Sequence, residues 1–244
     1  MSRQGSAFYD QDVVFANYTA HRLQVDNPPD TLEKPVLLDL VGSVAGLRIL
    51  DLGCGTALFG REALEQGCQL YVGVDGSRNM VTMAEKILAG SPGQVIHTTL
   101  ETWDYPPAAF DLVVSRLVLQ YVEDVAAICA NVHQALGVNG RFIFSVEHPI
   151  LTAWARNWET NDGQHDWVVD NYFVPGPRTT RWLGGEVVRY HRTIEEYFRI
   201  VQQAGFVIES LRESCPRREQ FTDEATFEQS KRIPLFLFLA ACKR

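Results

Sequence analysis

Short apolar runs and longer amphipathic stretches alternate over the first 146 residues of the chain. The apolar runs have the length of buried strands and lie at 48–51, 69–74, 94–98, 110–115 and 141–146. Amphipathic stretches flanked by helix-capping residues lie before and between them, at 32–44, 58–66, 77–88 and 125–136. This alternation predicts an α/β domain with a parallel sheet and helices on both of its faces.

The pattern changes after residue 148. From 149 to 189 there is no clear helical period, and four of the five tryptophans lie there. A long insertion at this place predicts a lid or binding loop, or else a β-hairpin that stabilises the domain. Thr193 and Glu196 then form a capping-box pattern that opens a helix ending at Gly205.

Two further strands are expected near the C-terminus, at 206–211 and 234–241, as an antiparallel pair that closes the sheet. The charged segment 217–232 between them is expected to be irregular and solvated. We therefore divide the chain into four parts. They are an N-terminal helical segment or flap (1–34), the alternating core (35–148), a lid or substrate-binding insertion (149–192) and the C-terminal part of the core sheet (193–244).

The composition and net charge of the chain limit the classes of molecule that it is expected to bind. The 244 residues suit one large domain with an insertion, and 46% hydrophobic residues suffice for its core. A net charge of −8 argues against nucleic acid or an anionic membrane as the main partner, because neutralising phosphates takes a basic face. A small-molecule or peptide substrate is favoured instead, and a homo-oligomer stays open.

The cysteines and the N-terminus bear on metal and location. Five scattered cysteines without a Cys-x-x-Cys pair indicate neither a zinc site nor a disulfide framework, so no metal is expected. The first 30 residues do not read as a secretory signal, and no apolar run approaches 18 residues. The expected location is the cytoplasm.

The chain is organised around a glycine turn between the first predicted core strand and its helix. Asp51 ends the strand, Gly53 and Gly55 follow, and Asp75 ends the next apolar run 20 residues beyond Gly55. Glycine lets a ligand approach the main chain, and an acidic side chain at this distance is placed to accept hydrogen bonds from ribose hydroxyls. A dinucleotide fingerprint would need a third glycine where Leu58 stands. The turn therefore predicts a nucleoside site, with an ordinary turn of another α/β protein as the alternative.

The sequence Asp51-x-Gly53-x-Gly55 resembles motif I of class I S-adenosylmethionine (SAM) dependent methyltransferases, of the small-molecule, methyltransferase 11-like group. Asp75 resembles their ribose-binding acidic residue, and the resemblance covers residues 35–146. It implies a Rossmann-like, seven-stranded, mostly parallel sheet with an antiparallel last strand, and it implies SAM as cofactor.

The resemblance also implies a cofactor site. Tyr18 and Arg22 match a Tyr-x-x-x-Arg element near the methionine end of SAM, where an arginine pairs with a carboxylate. Thr99 replaces the usual adenine-binding Asp, and Gln120 stands where a histidine is frequent. The implied cofactor-binding residues are Tyr18, Arg22, Asp51, Gly53, Cys54, Gly55, Asp75, Gly76, Met80, Leu100, Glu101 and Ser115.

Methyl transfer to a protonated acceptor releases a proton. We therefore expect a base at the carboxyl ends of the parallel strands, where the cofactor would bind. His148 follows the fifth strand and is the first candidate base, since its ordinary pKa suits proton transfer near neutrality. The alternative is a structural histidine. Glu147 is expected to orient His148 or to bind substrate, and Tyr9 is a weaker candidate for catalysis.

Aromatic residues of the insertion point to an apolar, aromatic acceptor, because ring faces bury large areas and attract cations. The predicted substrate-binding residues are Trp154, Tyr172, Phe173, Trp182 and His191. Glu147-His148-Pro149 and Tyr190-His191-Arg192 loosely resemble bacterial natural-product methyltransferases that C-methylate indole or prenyl groups. The preferred prediction is C-methylation of an indole, tryptophan-derived diketopiperazine. The alternatives are O- or N-methylation of another metabolite, a non-catalytic SAM-binding regulator, or an NAD-dependent oxidoreductase.

Overall fold

A computed structural model describes residues 3–153, 159–161 and 164–244. Its strands, in chain order, are β1 (Arg3–Gln4), β2 (Arg48–Leu52), β3 (Leu70–Asp75), β4 (Gln94–His97), β5 (Phe110–Arg116), β6 (Leu136–Glu147), β7 (Glu159–Asn161), β8 (Gln164–Asp166), β9 (Gly176–Trp182), β10 (Gly185–His191), β11 (Val207–Glu213) and β12 (Phe236–Cys242). Its α-helices are α1 (Asp12–Arg22), α2 (Lys34–Val41), α3 (Leu58–Glu65), α4 (Arg78–Ile87), α5 (Val125–Ala135), α6 (Pro149–Thr152), α7 (Ile194–Gln203) and α8 (Glu224–Ser230).

The central sheet has seven strands in the order β11-β12-β6-β5-β2-β3-β4. β2 to β6 pair in parallel, and only β12 runs antiparallel to its two neighbours in this sheet. The predicted Rossmann-like, mostly parallel sheet is confirmed, with its antiparallel last strand. Parallel strands end at one edge, so the residues that follow β2, β3, β4 and β5 meet there.

Two hydrophobic layers bury the sheet. Leu50, Val113 and Phe144 face the layer that includes α5 and α7, and Ile49 and Phe238 face the layer that includes α2 and α3. Every residue of β12 is buried, which explains why that strand reads as a continuous apolar run. The predicted capping box of α7 is confirmed, because Thr193 and Glu196 cap each other's backbone N–H groups.

A second, small sheet has the order β1-β10-β9 and joins the N-terminal segment to the insertion. β9 and β10 form an antiparallel hairpin in the insertion, and β1 adds to it in parallel, with Arg3 opposite Val187. Phe8, Val14 and Val187 form a separate small core beneath it. The N-terminal segment and the insertion therefore fold together, although more than 110 residues separate them. The hairpin interpretation of the insertion holds for 176–191.

The segment 217–232 is not irregular, contrary to expectation. It contains α8, which Asp223 caps by accepting a hydrogen bond from the Thr226 N–H. Phe221 is buried against the core, and Phe227 packs on Phe221 with ring centroids 5.5 Å apart. Two aromatic residues thus anchor a segment whose charge content suggested a solvated surface.

No helix in the described ranges is long and apolar enough to cross a membrane. All five cysteines are free thiols. Within the described part of the chain, no group of three or more His, Cys, Asp or Glu side chains has an arrangement that would hold a metal ion.

Candidate active site

A cavity of about 990 Å³ lies at the carboxyl edge of the central sheet. Residues that follow β2, β3, β4 and β5, and Glu147 at the end of β6, form one wall. The other wall comes from the N-terminal segment and the hairpin, with Tyr9, Tyr18, Trp182 and Arg189. A volume of this size is at the upper end of small-molecule sites and accommodates a cofactor together with a small acceptor.

The glycine turn is held by hydrogen bonds to the neighbouring strand. The N–H groups of Gly53 and Cys54 donate to the Val74 carbonyl oxygen, at 2.8 and 3.1 Å. Gly53 has φ +70°, and a Cβ there would lie 2.3 Å from Val118 Cγ2. Gly55 has φ +54°, and a Cβ there would meet nothing within 4 Å. Gly53 is therefore required both by its left-handed backbone and by packing, whereas Gly55 is required by its left-handed backbone alone.

Asp75 is fixed with both oxygens on the cavity side of this turn. Its Oδ2 accepts a hydrogen bond from the Gly55 N–H at 2.9 Å, and its Oδ1 accepts one from the Ser77 N–H at 2.8 Å. Burial raises the pKa of Asp75 to about 6, against the lowering effect of these two bonds. Because each carboxylate oxygen accepts more than one hydrogen bond, Asp75 can still accept from two ribose hydroxyls.

Asp51 supplies an unpaired acceptor on the same wall. The Tyr71 hydroxyl donates to its Oδ2 at 2.7 Å, while its Oδ1 has no hydrogen-bond partner among the described residues. Burial raises the pKa of Asp51 to about 6. A buried, unpaired carboxylate oxygen at a cavity wall fits a ligand that carries a hydrogen-bond donor such as an ammonium group. The residues present therefore fit an adenosyl amino acid.

A buried ion pair on the cavity wall was not predicted. The Arg116 guanidinium donates two hydrogen bonds to the fully buried Glu33 carboxylate, and the Ser145 hydroxyl donates to Glu33 Oε1 at 2.8 Å. Burial alone would lower the pKa of Arg116, but the Glu33 charge holds it above its ordinary value. The signal was an arginine directly after a strand, at the start of a turn.

Ser115, predicted to meet the cofactor, does not line the cavity. It is fully buried, and its hydroxyl donates to the Leu52 carbonyl oxygen at 3.1 Å. Arg116, one residue further along the strand, lines the cavity instead. Of the two residues at this strand end, Arg116 and not Ser115 therefore lies on the cavity wall.

The other predicted cofactor residues line the cavity. Arg22 donates to Asp30 Oδ1 at 2.8 Å, and Tyr18 packs edge-to-face on Tyr9. Thr99, which replaces the family Asp, also lines the wall, and its hydroxyl lies 3.0 Å from that of Thr102. The remaining members of the set that line the wall are Cys54, Gly76, Met80, Leu100 and Glu101.

A polar group occupies the end of the cavity nearest the hairpin. The hydroxyls of Tyr9 and Tyr121 lie 3.3 Å apart, and Arg189 Nη1 lies 3.1 Å from Glu147 Oε2. The Arg189 guanidinium lies 5.6 Å from the ring centroid of Trp182. Burial raises the pKa of Tyr9 well above its ordinary value, so its hydroxyl stays protonated. Sequence reasoning named Tyr9, Glu147 and Trp182 but missed Tyr121 and Arg189.

His148 does not reach the cavity, contrary to the prediction that it acts as base. Its side chain is 2% exposed, its Nδ1 accepts a hydrogen bond from the Ile150 N–H at 3.2 Å, and its Nε2 lies 2.9 Å from Glu213 Oε1. Burial lowers its pKa, against the opposing effect of Glu213. The ring therefore caps α6, which is the structural alternative for this histidine.

The predicted substrate-binding residues divide into separate groups. Trp182 lines the cavity, and Trp154 lies outside the described residues. His191 is buried away from the large cavity, with its ring nitrogens 2.8 Å from Thr152 Oγ1 and from the Tyr172 carbonyl oxygen. Neither Tyr172 nor Phe173 lines the large cavity, and Phe173 is 85% exposed. Three of the five predictions thus do not agree with the structure. His191 on β10 and the two aromatic residues of the loop before β9 do not line the large cavity.

Comparison with known proteins identifies the family. A family model described as a methyltransferase domain matches residues 50–144. The structure is similar to the crystal structure of an S-adenosylmethionine dependent methyltransferase from Mesorhizobium loti, with a TM-score of 0.81 and 39% identity over 86% of this chain and 97% of that one. An uncharacterized protein from Haemophilus influenzae is 31% identical over 96% of both chains.

A ubiquinone biosynthesis O-methyltransferase from Idiomarina loihiensis is 31% identical to 45% of this chain, and the match spans 46% of that protein. The similarity to the Mesorhizobium loti structure, by contrast, extends over nearly the whole of that protein. The chain therefore belongs to the SAM-dependent methyltransferases, and SAM is its methyl donor.

Proposed function

We propose that this enzyme methylates a small, largely apolar molecule held between the glycine turn and the hairpin. The observation that carries this proposal is the continuity of the cavity, which runs from Asp75 and Gly55 to an aromatic wall at Trp182. Leu151, Trp167 and Tyr190 also line that wall. Apolar walls with a few polar groups are typical of sites for small hydrophobic ligands.

The residues of the turn would hold the cofactor. Asp75 would accept hydrogen bonds from the ribose, Asp51 Oδ1 would accept from the methionine ammonium, and Arg22 would pair with the carboxylate. Leu100 and Met80 would border the adenine. SAM supplies a methyl group that is already activated on a sulfonium, so the chain's task is to align the acceptor and to exclude water.

The small sheet lies on the outer side of the cavity, which supports the lid expected from the sequence. β1, β9 and β10 and the small core of Phe8, Val14 and Val187 form the outer wall. We propose that this outer wall, together with α1, is a lid that shields the acceptor from water. Its tyrosine and tryptophan residues on the cavity are Tyr9, Tyr18, Trp182 and Tyr190.

The acceptor atom is the open part of this proposal. The preferred sequence-based prediction, C-methylation of an indole diketopiperazine, keeps Trp182 in its favour but loses Tyr172, Phe173 and His148 as contacts. The named relatives include O-methyltransferases, which favours the alternative of an oxygen acceptor. No observation favours a non-catalytic regulator over an enzyme.

Two measurements test the proposal together. Titration calorimetry should show binding of SAM and of S-adenosylhomocysteine but not of NAD. Incubation with methyl-labelled SAM and a panel of phenols, amines and tryptophan-derived compounds should then label at least one compound. Binding of SAM without label transfer to any apolar acceptor, with transfer to a peptide or a nucleic acid instead, would contradict the proposed substrate class.

A further inference from the structure

Four polar side chains from distant parts of the chain meet at the hairpin end of the cavity. They are Tyr9 before α1, Tyr121 after β5, Glu147 at the end of β6 and Arg189 on β10. The two tyrosine hydroxyls lie 3.3 Å apart, and the ion pair between Arg189 and Glu147 measures 3.1 Å. Burial alone would lower the pKa of Arg189, but Glu147, Tyr121 and Tyr9 hold it above its ordinary value.

Several buried polar atoms at this end of the cavity lack hydrogen-bond partners among the described residues. Arg189 Nε and Glu147 Oε2 have no hydrogen-bond partner among the described residues, although Glu147 Oε2 keeps its ionic contact with Arg189 Nη1. Gln120 Oε1 and Thr180 Oγ1, on the same cavity, also have none within that part of the chain. Buried polar atoms cost free energy when unpaired, so a cluster of them on one cavity wall indicates a ligand that pairs with them.

Resting on the proposed function, we infer that Glu147 and Arg189 form a subsite for an ionisable hydroxyl of the acceptor, a phenol or an enol. The hydroxyl would donate its proton to the Glu147 carboxylate, and its oxygen would accept a hydrogen bond from the Arg189 guanidinium. Both residues would then be catalytic in the strict sense, because both would contact the reacting oxygen.

The charges explain why an oxygen suits this subsite. When the proton moves to Glu147, the negative charge moves from that carboxylate to the acceptor oxygen, and both positions adjoin the Arg189 guanidinium. The charge therefore never leaves its counter-ion, which limits the cost of ionisation in a buried site. The protonated Tyr9 hydroxyl offers a further donor to the oxygen anion.

The full step balances in atoms and charge. The acceptor O–H bond breaks and Glu147 takes the proton. The oxygen then forms its bond to the methyl carbon as the carbon–sulfur bond breaks. The sulfonium charge and the oxygen charge are both lost, and Glu147 returns its proton to solvent.

Other acceptor atoms fit this place less well. A protonated amine would be repelled by Arg189, and a neutral amine develops positive charge during methylation. An indole carbon develops positive charge on its ring and leaves no anion for the guanidinium to stabilise. Arg189 would oppose both reactions, so its presence favours an oxygen acceptor.

A binding measurement tests the subsite without turnover. A nitrophenol is bound to the protein in the presence of S-adenosylhomocysteine, and the pH is then varied. The absorbance of the nitrophenol reports the ionisation of its bound hydroxyl. We expect the pKa of the bound nitrophenol to fall by about one unit or more below its value in water, because Arg189 favours the anion. This shift should disappear in Arg189→Met and persist in Arg199→Met, whose arginine is exposed on α7.

Turnover over a series of phenols separates the two roles. The series runs from hydroxyl pKa values of about 7 to about 10. Glu147→Gln should slow phenols of high pKa by about 100-fold or more, the usual range for loss of a general base, and should largely spare those already ionised. Glu186→Gln, an exposed position on β10, is the matched control and should change neither. Should a single variant fail to fold, the double variant Glu147→Gln with Arg189→Met keeps the site neutral, and it should lose both effects.

The outcomes distinguish the two proposals. Failure of the protein to bind SAM would contradict the proposed function. Binding of SAM with methylation confined to amines or to indole carbon, or with no hydroxyl compound methylated, would overturn the hydroxyl subsite alone. An equal loss in Glu147→Gln for phenols of every pKa would also overturn it, because a merely structural role predicts that result.

Discussion

The two ends of the cavity are built in different ways. At the glycine turn, Asp75 accepts hydrogen bonds from Gly55 and Ser77, all within one βαβ unit of the sequence. At the hairpin end, Tyr9, Tyr121, Glu147 and Arg189 come from four separate places in the chain. The first end is preorganised by its own backbone, whereas the second depends on the packing of the small sheet. We therefore expect changes in the hairpin to affect the acceptor end more than the glycine turn and Asp75.

The Glu33–Arg116 pair is buried on the cavity wall, and its loss should have the largest effect on stability. Glu33→Gln leaves the Arg116 charge buried without its counter-ion, so the free energy of unfolding should fall by about 3 kcal/mol or more. Denaturant unfolding measures the change. Glu62→Gln, which breaks an exposed pair with Lys34, should cost about 0.5 kcal/mol. Equal costs would contradict the structural role given to Glu33.

Substitutions of Asp75 and Arg189 test whether the cofactor end and the acceptor end work independently. Asp75→Asn removes the charged acceptor of the ribose, and SAM affinity should fall by about 100-fold, as expected from two charge-assisted hydrogen bonds. Calorimetry measures the affinity, with Asp104→Asn as an exposed control that does not line the cavity. In the opposite direction, Arg189→Met should leave SAM affinity within about threefold. A large loss in Arg189→Met would show that the two ends are not independent.

Protonation of Asp75 should also weaken the binding of SAM at acidic pH. Burial holds the pKa of Asp75 near 6 in the free protein, and ribose hydroxyls donate to the ionised form, so bound SAM lowers that pKa. Affinity should therefore be full above pH 7 and fall by about tenfold by pH 5. Binding near pH 6 should release protons, which calorimetry in buffers of different ionisation enthalpy detects. Asp51, with its pKa also near 6, adds to the same weakening, and a flat profile from pH 7 to 5 would contradict both assignments.

His148 should give the smallest effect. His148→Asn removes a hydrogen bond to Glu213 but nothing in the cavity, so turnover should stay within about twofold while the free energy of unfolding falls by about 1 kcal/mol. Steady-state rates and denaturant unfolding check the two parts. A tenfold loss of turnover with normal stability would restore His148 as a candidate base.

Sequence patterns predicted the cofactor end well because its features are local. Strand, glycine turn, helix and acidic residue follow one another within about 30 residues, and each has a backbone reason to be there. The seven-stranded sheet followed from the same alternation. The strand end at Ser115 and Arg116 shows the limit, since the pattern does not show which of the two residues lies on the cavity wall.

The acceptor end could not be predicted in the same way. Tyr9 meets Tyr121 and Arg189 where β1 pairs with β10, which is a long-range pairing with no local signal. His148 was suggested by its place after β6, but its ring caps α6 instead. The alternation of β9, in which Thr180 and Trp182 share one face, was the available clue to which residues of the hairpin turn inward.

A crystal structure with bound S-adenosylhomocysteine would test this arrangement most directly. The ribose hydroxyls should lie within hydrogen-bond distance of Asp75, with the adenosyl group along Gly53 to Gly55. The sulfur should face the space bounded by Tyr9, Glu147 and Arg189. An adenosyl group bound elsewhere, or a sulfur directed away from Glu147 and Arg189, would contradict the division of the cavity into a cofactor end and an acceptor end.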